Sequence, residues 1–96
     1  VPVGVVVNII QYAALLMMIA QVTSYTPRNL YYTISDAHIY EEQLPDVTKL
    51  LKTEPRRLPT VTLEPTVTDL FAIRALHFTI EDYHPQLGRM IIWTPI

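Results

Sequence analysis

The chain has 96 residues, a net charge of −2 and hydrophobic side chains at 50% of its positions, enough for one small domain that buries roughly two thirds of its unfolded surface. So apolar a composition leaves more hydrophobic side chain than interior to hold it, so missing chain or a partner subunit is expected to cover part of the surface. The 7 Lys and Arg are scattered, with no basic stripe for nucleic acid, and a cysteine count of 0 excludes a disulfide framework, a thiolate metal site and thiol catalysis by this chain.

Val3 to Val22 is the strongest apolar stretch and is long enough to span a bilayer. Asn8, Gln11 and Gln21 lie in or at the edge of it, no Lys or Arg precedes it, and no positively charged leader or cleavage pattern is present. The expectation is therefore a long buried helix from about Asn8 to Thr23 and not a membrane span, with Asn8 as its cap and Val5-Val6-Val7 as an extended lead-in. Thr26-Pro27-Arg28-Asn29 punctuates the chain, and Leu30 to Ile34 reads as a strand.

Asp36-Ala37-His38-Ile39-Tyr40 follows and is the most informative stretch. On a strand, alternate side chains share a face, so Asp36, His38 and Tyr40 would line one wall about 6 to 7 Å apart, offering donors and acceptors to the hydroxyls or phosphates of a small polar ligand. An edge strand with a solvated face is the competing reading.

Glu41 to Thr53 carries Leu44, Val47, Leu50 and Leu51 on one helical face, with Pro45 confined to the first turn and Pro55 ending the helix. Arg56 and Arg57 read as a solvated turn. Thr60-Val61-Thr62-Leu63 alternates as a short strand, Asp69 to Leu76 suits one or two helical turns, and Phe78 to Tyr83 and Met90 to Trp93 are further strand candidates. His38, His77 and His84 show no metal-ligand spacing. The order is α+β, a long buried helix packed on a mixed β-sheet, in a single domain over 1–96 without internal repeats.

The apolar run and the Asp36-to-Tyr40 stretch together resemble the carboxy-terminal portion of the thymidylate synthase family. There a Gly-x-Pro-x-Asn-Ile turn opens a helix rich in Tyr-Ala-Leu-Leu and Met-Ile-Ala-Gln, and a Gly-Asp-x-His-x-Tyr strand follows about 30 residues later. Gly4, Asn8, the Tyr12 to Gln21 run, Asp36, His38 and Tyr40 keep that order and spacing. Glu54-Pro55-Arg56-Arg57-Leu58-Pro59 resembles the family's Glu-Pro-Arg-Pro-x-Pro connector, and Phe78-Thr79-Ile80-Glu81-Asp82-Tyr83 its late Phe-x-Ile-x-x-Tyr strand.

The resemblance implies a nucleotide pocket. Asn8, whose amide offers a donor and an acceptor side by side, would match the O4 and N3 edge of uracil, and His38 and Tyr40 would reach the deoxyribose 3′-hydroxyl of dUMP. Asp36 is expected to order its neighbours, since a carboxylate would repel a dianionic nucleotide. Gly4 would let backbone and reduced folate approach closely. Pro95 and Ile96 would belong to an apolar tail that closes over 5,10-methylenetetrahydrofolate and excludes water. Val6 and Val7 depart from the family's proline and aromatic residue, which puts stacking against the folate in doubt.

The implied reaction is the reductive methylation of dUMP to dTMP, started by a cysteine thiolate that adds to carbon 6. Without a cysteine the chain is expected to be inactive alone and to be a piece, beginning where the family's Arg-Ser-x-Asp phosphate motif would just have ended. The complete protein is expected to be a cytoplasmic homodimer with no nucleic-acid or membrane partner. Two other readings stay open: a pyrimidine nucleotide hydroxymethylase, in which water replaces hydride, and a catalytically dead nucleotide-binding or oligomerisation module.

Overall fold

The computed structural model describes residues 1–94. Helix α1 spans Gly4–Val22, a 3-10 turn over Glu41–Gln43 leads into α2 at Leu44–Leu51, strand β1 covers Thr60–Leu63, further 3-10 turns occupy Leu70–Ala72 and Ala75–His77, and β2 runs Phe78–Glu81. The class is α+β, as expected. The sheet is not mixed: β1 and β2 form one antiparallel pair, with Val61 opposite Ile80 and Leu63 opposite Phe78.

Alternation explains how that pair packs. Val61, Leu63, Phe78 and Ile80 share one face, Thr60, Thr62, Thr79 and Glu81 the other. The apolar face lies along α1, where Val61, Phe78 and Ile80 border a groove of ≈ 350 Å³ with Ile10, Ala14 and Met17. The buried core is small, comprising Ala20 of α1, Leu63 of β1 and Ile73 between the last two 3-10 turns. Beside it the Gln21 amide donates to the carbonyls of Glu64 at 2.8 Å and Val67 at 2.7 Å, tying α1 to the chain leaving β1.

The long helix forms but is not buried. Ala20 is its only buried residue, while Val6, Ile10 and Tyr12 are each more than half exposed. Its apolar residues run around the whole circumference, and a two-stranded hairpin covers one side of such a cylinder. With 19 residues and a mean hydropathy of 2.0, α1 has the length and composition to cross a membrane. The Gln21 ties are contacts with protein.

Asn8 is not the cap. The helix starts a turn earlier, with Val3 at the N-cap position and no side-chain cap bond. Val5 to Val7 are helical because the helix penalty of a β-branched residue is under about 1 kcal/mol and each residue added to a growing helix gains a backbone hydrogen bond. At the other end, Ser24 adopts φ 62 while its N–H and that of Tyr25 bond the carbonyls of Gln21 and Ala20 at 3.3 and 2.8 Å. That pair of bonds is a Schellman C-cap with serine in the left-handed position.

The strands expected at Leu30 to Ile34, Asp36 to Tyr40 and Met90 to Trp93 do not form. A strand is completed by a neighbour's hydrogen bonds, and among the described residues β1 and β2 pair only with each other. Asp69 to Leu76 folds as two 3-10 turns, split where Ile73 and Arg74 are extended. The first turn is capped by Asp69, whose carboxylate accepts the Phe71 N–H at 3.0 Å. Helix α2 forms with Pro45 in its first turn but is shorter than the expected Glu41 to Thr53, its first residues making the 3-10 turn, and Leu44, Leu50 and Leu51 of its apolar face remain exposed.

Candidate functional site

His38 and Tyr40 meet without a strand to align them. The chain bends at Ser35-Asp36 and runs on extended to Tyr40, at φ −71 and ψ 148, where the 3-10 turn begins. The two rings pack edge to face with centroids 5.0 Å apart, and the His38 side chain is 52% exposed. An imidazole and a phenol side by side at an accessible surface offer several hydrogen-bonding groups to one small polar ligand. The Asp36 carboxylate lies 3.8 Å from His38 Nδ1 and is otherwise turned to solvent, with 93% of the side chain exposed. Closer to the same nitrogen is the Asp36 backbone carbonyl, at 3.3 Å.

Gln43 builds the floor of this cluster. It is 3% exposed, and its amide is used at both ends: Oε1 accepts the Tyr40 backbone N–H at 3.2 Å and Nε2 donates to the Trp93 carbonyl at 2.6 Å. The Gln43 N–H also returns to the Tyr40 carbonyl at 2.9 Å, closing the turn. Trp93 then stands edge-on to Tyr40 with ring centroids 6.0 Å apart. The Val1 nitrogen donates to the His38 carbonyl at 3.2 Å, which brings the approach to α1 against the same segment.

Asn8 lies in the second turn of α1, exposed, and its side chain makes no hydrogen bond among the described residues. The structure therefore joins His38 to Tyr40 and leaves the Asn8 amide free on the helix surface. At Gly4 an added Cβ would meet nothing within 4 Å, so the space there is open. Pro95 and Ile96 lie outside the described residues. Arg56 and Arg57 are exposed in an irregular stretch, and His77 closes its own turn by accepting the Arg74 N–H at 2.8 Å. No group of three His, Asp or Glu among the described residues is placed to hold a metal ion.

Sequence reasoning missed Gln43 and Trp93. A signal for Gln43 existed, since a Gln three residues after a turn's first residue is the spacing at which a side chain reaches back to that residue's N–H. Trp93 had none, being 50 positions away. A family model described as thymidylate synthase matches residues 1–91 of the chain.

Proposed function

The chain belongs to the thymidylate synthase family, a family of methyltransferases, and from that premise we propose that it recognises the base and sugar of dUMP through Asn8, His38 and Tyr40. The observation that carries this reading is the contact between His38 and Tyr40, two hydrogen-bonding side chains at 5.0 Å on an accessible surface. The imidazole and phenol take the 3′-hydroxyl between them, and the Asn8 amide reads the donor–acceptor edge of uracil. The Asp36 backbone carbonyl, 3.3 Å from His38 Nδ1, keeps the imidazole oriented.

The complete reaction in this reading is transfer of a methylene group and hydride from 5,10-methylenetetrahydrofolate to dUMP. Its nucleophile is a thiolate carried outside these 96 residues, none of which is cysteine. Reduced folate approaches at Gly4, where no side chain blocks the backbone, and Pro95 and Ile96 belong to the closing tail. The protein acts in the cytoplasm as a homodimer, the second copy or further chain covering the exposed face of α1.

Equilibrium dialysis tests the sugar assignment. The chain should hold dUMP more tightly than 2′,3′-dideoxyuridine monophosphate by about five- to ten-fold, the worth of one hydrogen bond of some 1 to 1.4 kcal/mol, and Tyr40→Phe should shrink that preference. Equal affinity for the two nucleotides in the parent chain overturns the reading. With 5-fluoro-dUMP and the folate, the chain should form no covalent adduct. An adduct would show that the chemistry needs no cysteine.

A further inference from the structure

Gln43 is the one buried polar side chain among the described residues, and neither of its bonds belongs to ligand recognition. It is also the only described link between the His38–Tyr40 pair and the last stretch of chain that is a hydrogen bond, the other being the edge-on contact of the Tyr40 and Trp93 rings. The two partners of its amide are chemically distinct. The Tyr40 N–H needs an acceptor and the Trp93 carbonyl needs a donor, and a primary amide alone among uncharged side chains of this length supplies both at once. Around Trp93 the backbone is irregular and the tryptophan itself 46% exposed, so burial alone does not hold it in place.

We propose that Gln43 is a positioning residue that couples the nucleotide site to the carboxy-terminal segment, locking Trp93 against Tyr40 so that a ligand settling on His38 and Tyr40 is felt at Trp93. The inference rests on the nucleotide reading above. Its mechanism is mechanical: the amide fixes the Tyr40 backbone and the Trp93 backbone to the same rigid group, so a shift of one carries the other. The phenol that meets the sugar and the indole that begins the tail therefore move as one unit.

The chain has a single tryptophan, so fluorescence excited beyond the absorption of its tyrosines reports on Trp93 alone. Two variants separate the bonds. Gln43→Glu keeps an acceptor for the Tyr40 N–H and removes the donor to Trp93, whereas Gln43→Met fills the space and removes both. Acrylamide quenching of Trp93 is measured with and without saturating dUMP, nucleotide binding is followed separately by dialysis, and helix content by circular dichroism confirms that each variant is folded.

In the parent chain, dUMP should protect Trp93 from quenching. In both folded variants the segment should open about two- to ten-fold more often, the equivalent of one lost hydrogen bond, and dUMP should still bind while no longer protecting Trp93. Binding with undiminished protection in both variants overturns the coupling and leaves the nucleotide reading standing. Failure of the parent chain to bind dUMP at all overturns the nucleotide reading, and the coupling with it.

Discussion

Asn8 is exposed in the second turn of α1 and caps nothing, which makes it a clean position for a test of base recognition. A carboxylate accepts hydrogen bonds and donates none, so Asn8→Asp should turn away the uracil edge and tolerate the amino group of cytosine. Leaving a polar group unpaired costs about 1 to 3 kcal/mol, so the ratio of dUMP to dCMP affinity should fall by roughly five-fold to more than a hundred-fold. The thermal midpoint should hold, because an acidic residue near a helix N-terminus is neutral to favourable. An unchanged ratio removes Asn8 from the pocket. Glutamine makes the long-range side-chain hydrogen bonds among the described residues: Gln21 reaches Glu64 and Val67, Gln43 reaches Trp93, and the Gln86 amide donates to the Glu54 carbonyl. Each spans 32 or more positions, and each satisfies a backbone carbonyl that no ladder reaches.

Helix α1 ends on Ser24 at φ 62. A residue with a Cβ is strained there by about 1 to 2 kcal/mol, and glycine is not. Glycine's extra freedom in the unfolded chain gives back part of that, so Ser24→Gly should stabilise by about 1 kcal/mol and raise the thermal midpoint by about 4 to 8 °C, as read by circular dichroism. A fall in the midpoint would mean that the Schellman bonds of Ser24 and Tyr25 do not hold the helix end. Elements whose information is local were legible in the sequence. The Leu and Val spacing with Pro45 marked α2, and the alternation at Thr60 to Leu63 and Phe78 to Tyr83 marked both strands, the second ending early at Glu81, where Asp82 turns to φ 58. Tyr31, Tyr32 and Ile34 carry strand propensity as strong as Val61's, yet no strand forms there, because the missing ingredient is a neighbour rather than a residue type. The boundary of α1 was misjudged for a related reason: Val5 to Val7 have their own preference, and the growing helix overrides it. Within the candidate site, His38 and Tyr40 were legible as neighbours because they stand two residues apart. The Gln43 tie to Trp93 was not, because nothing in residue 43 specifies its partner at 93.

A compact domain of this length has a radius of gyration of about 12 Å and one of this mass an accessible surface of about 5,600 Å²; this chain has 16.2 Å and 8220 Å². The excess, roughly 2,600 Å² on one chain, is well above the roughly 800 Å² that each partner contributes to an interface of standard size. Much of it is apolar, with Val6, Val7, Ile10 and Tyr12 of α1 and Leu51, Leu58 and Phe71 elsewhere exposed. Surface of that size and character binds other apolar surface. In sedimentation velocity the chain should run as a dimer or larger species at micromolar concentration, and Val6→Glu, at an exposed position outside the groove that α1 shares with the strands, should shift it toward monomer. A parent chain that stays monomeric shows that the exposed face of α1 does not self-associate. The irregular, exposed stretch from Tyr25 to Tyr40 has a further consequence, for attack by proteases. A protease needs a run of backbone it can draw into its cleft unobstructed, which helices and paired strands deny it. Trypsin should therefore nick first after Arg28 and in the Arg56-Arg57 stretch, and only later at Lys49 within α2 or at Arg74, whose guanidinium bonds the Phe71 and Ile73 carbonyls at 2.7 and 2.9 Å. After the first cut the piece carrying α1 should elute together with the remainder on gel filtration, because the Gln21 bonds and the buried Ala20, Leu63 and Ile73 hold them without the peptide. Separation of the two pieces would mean that the severed loop, rather than packing, keeps α1 on the hairpin.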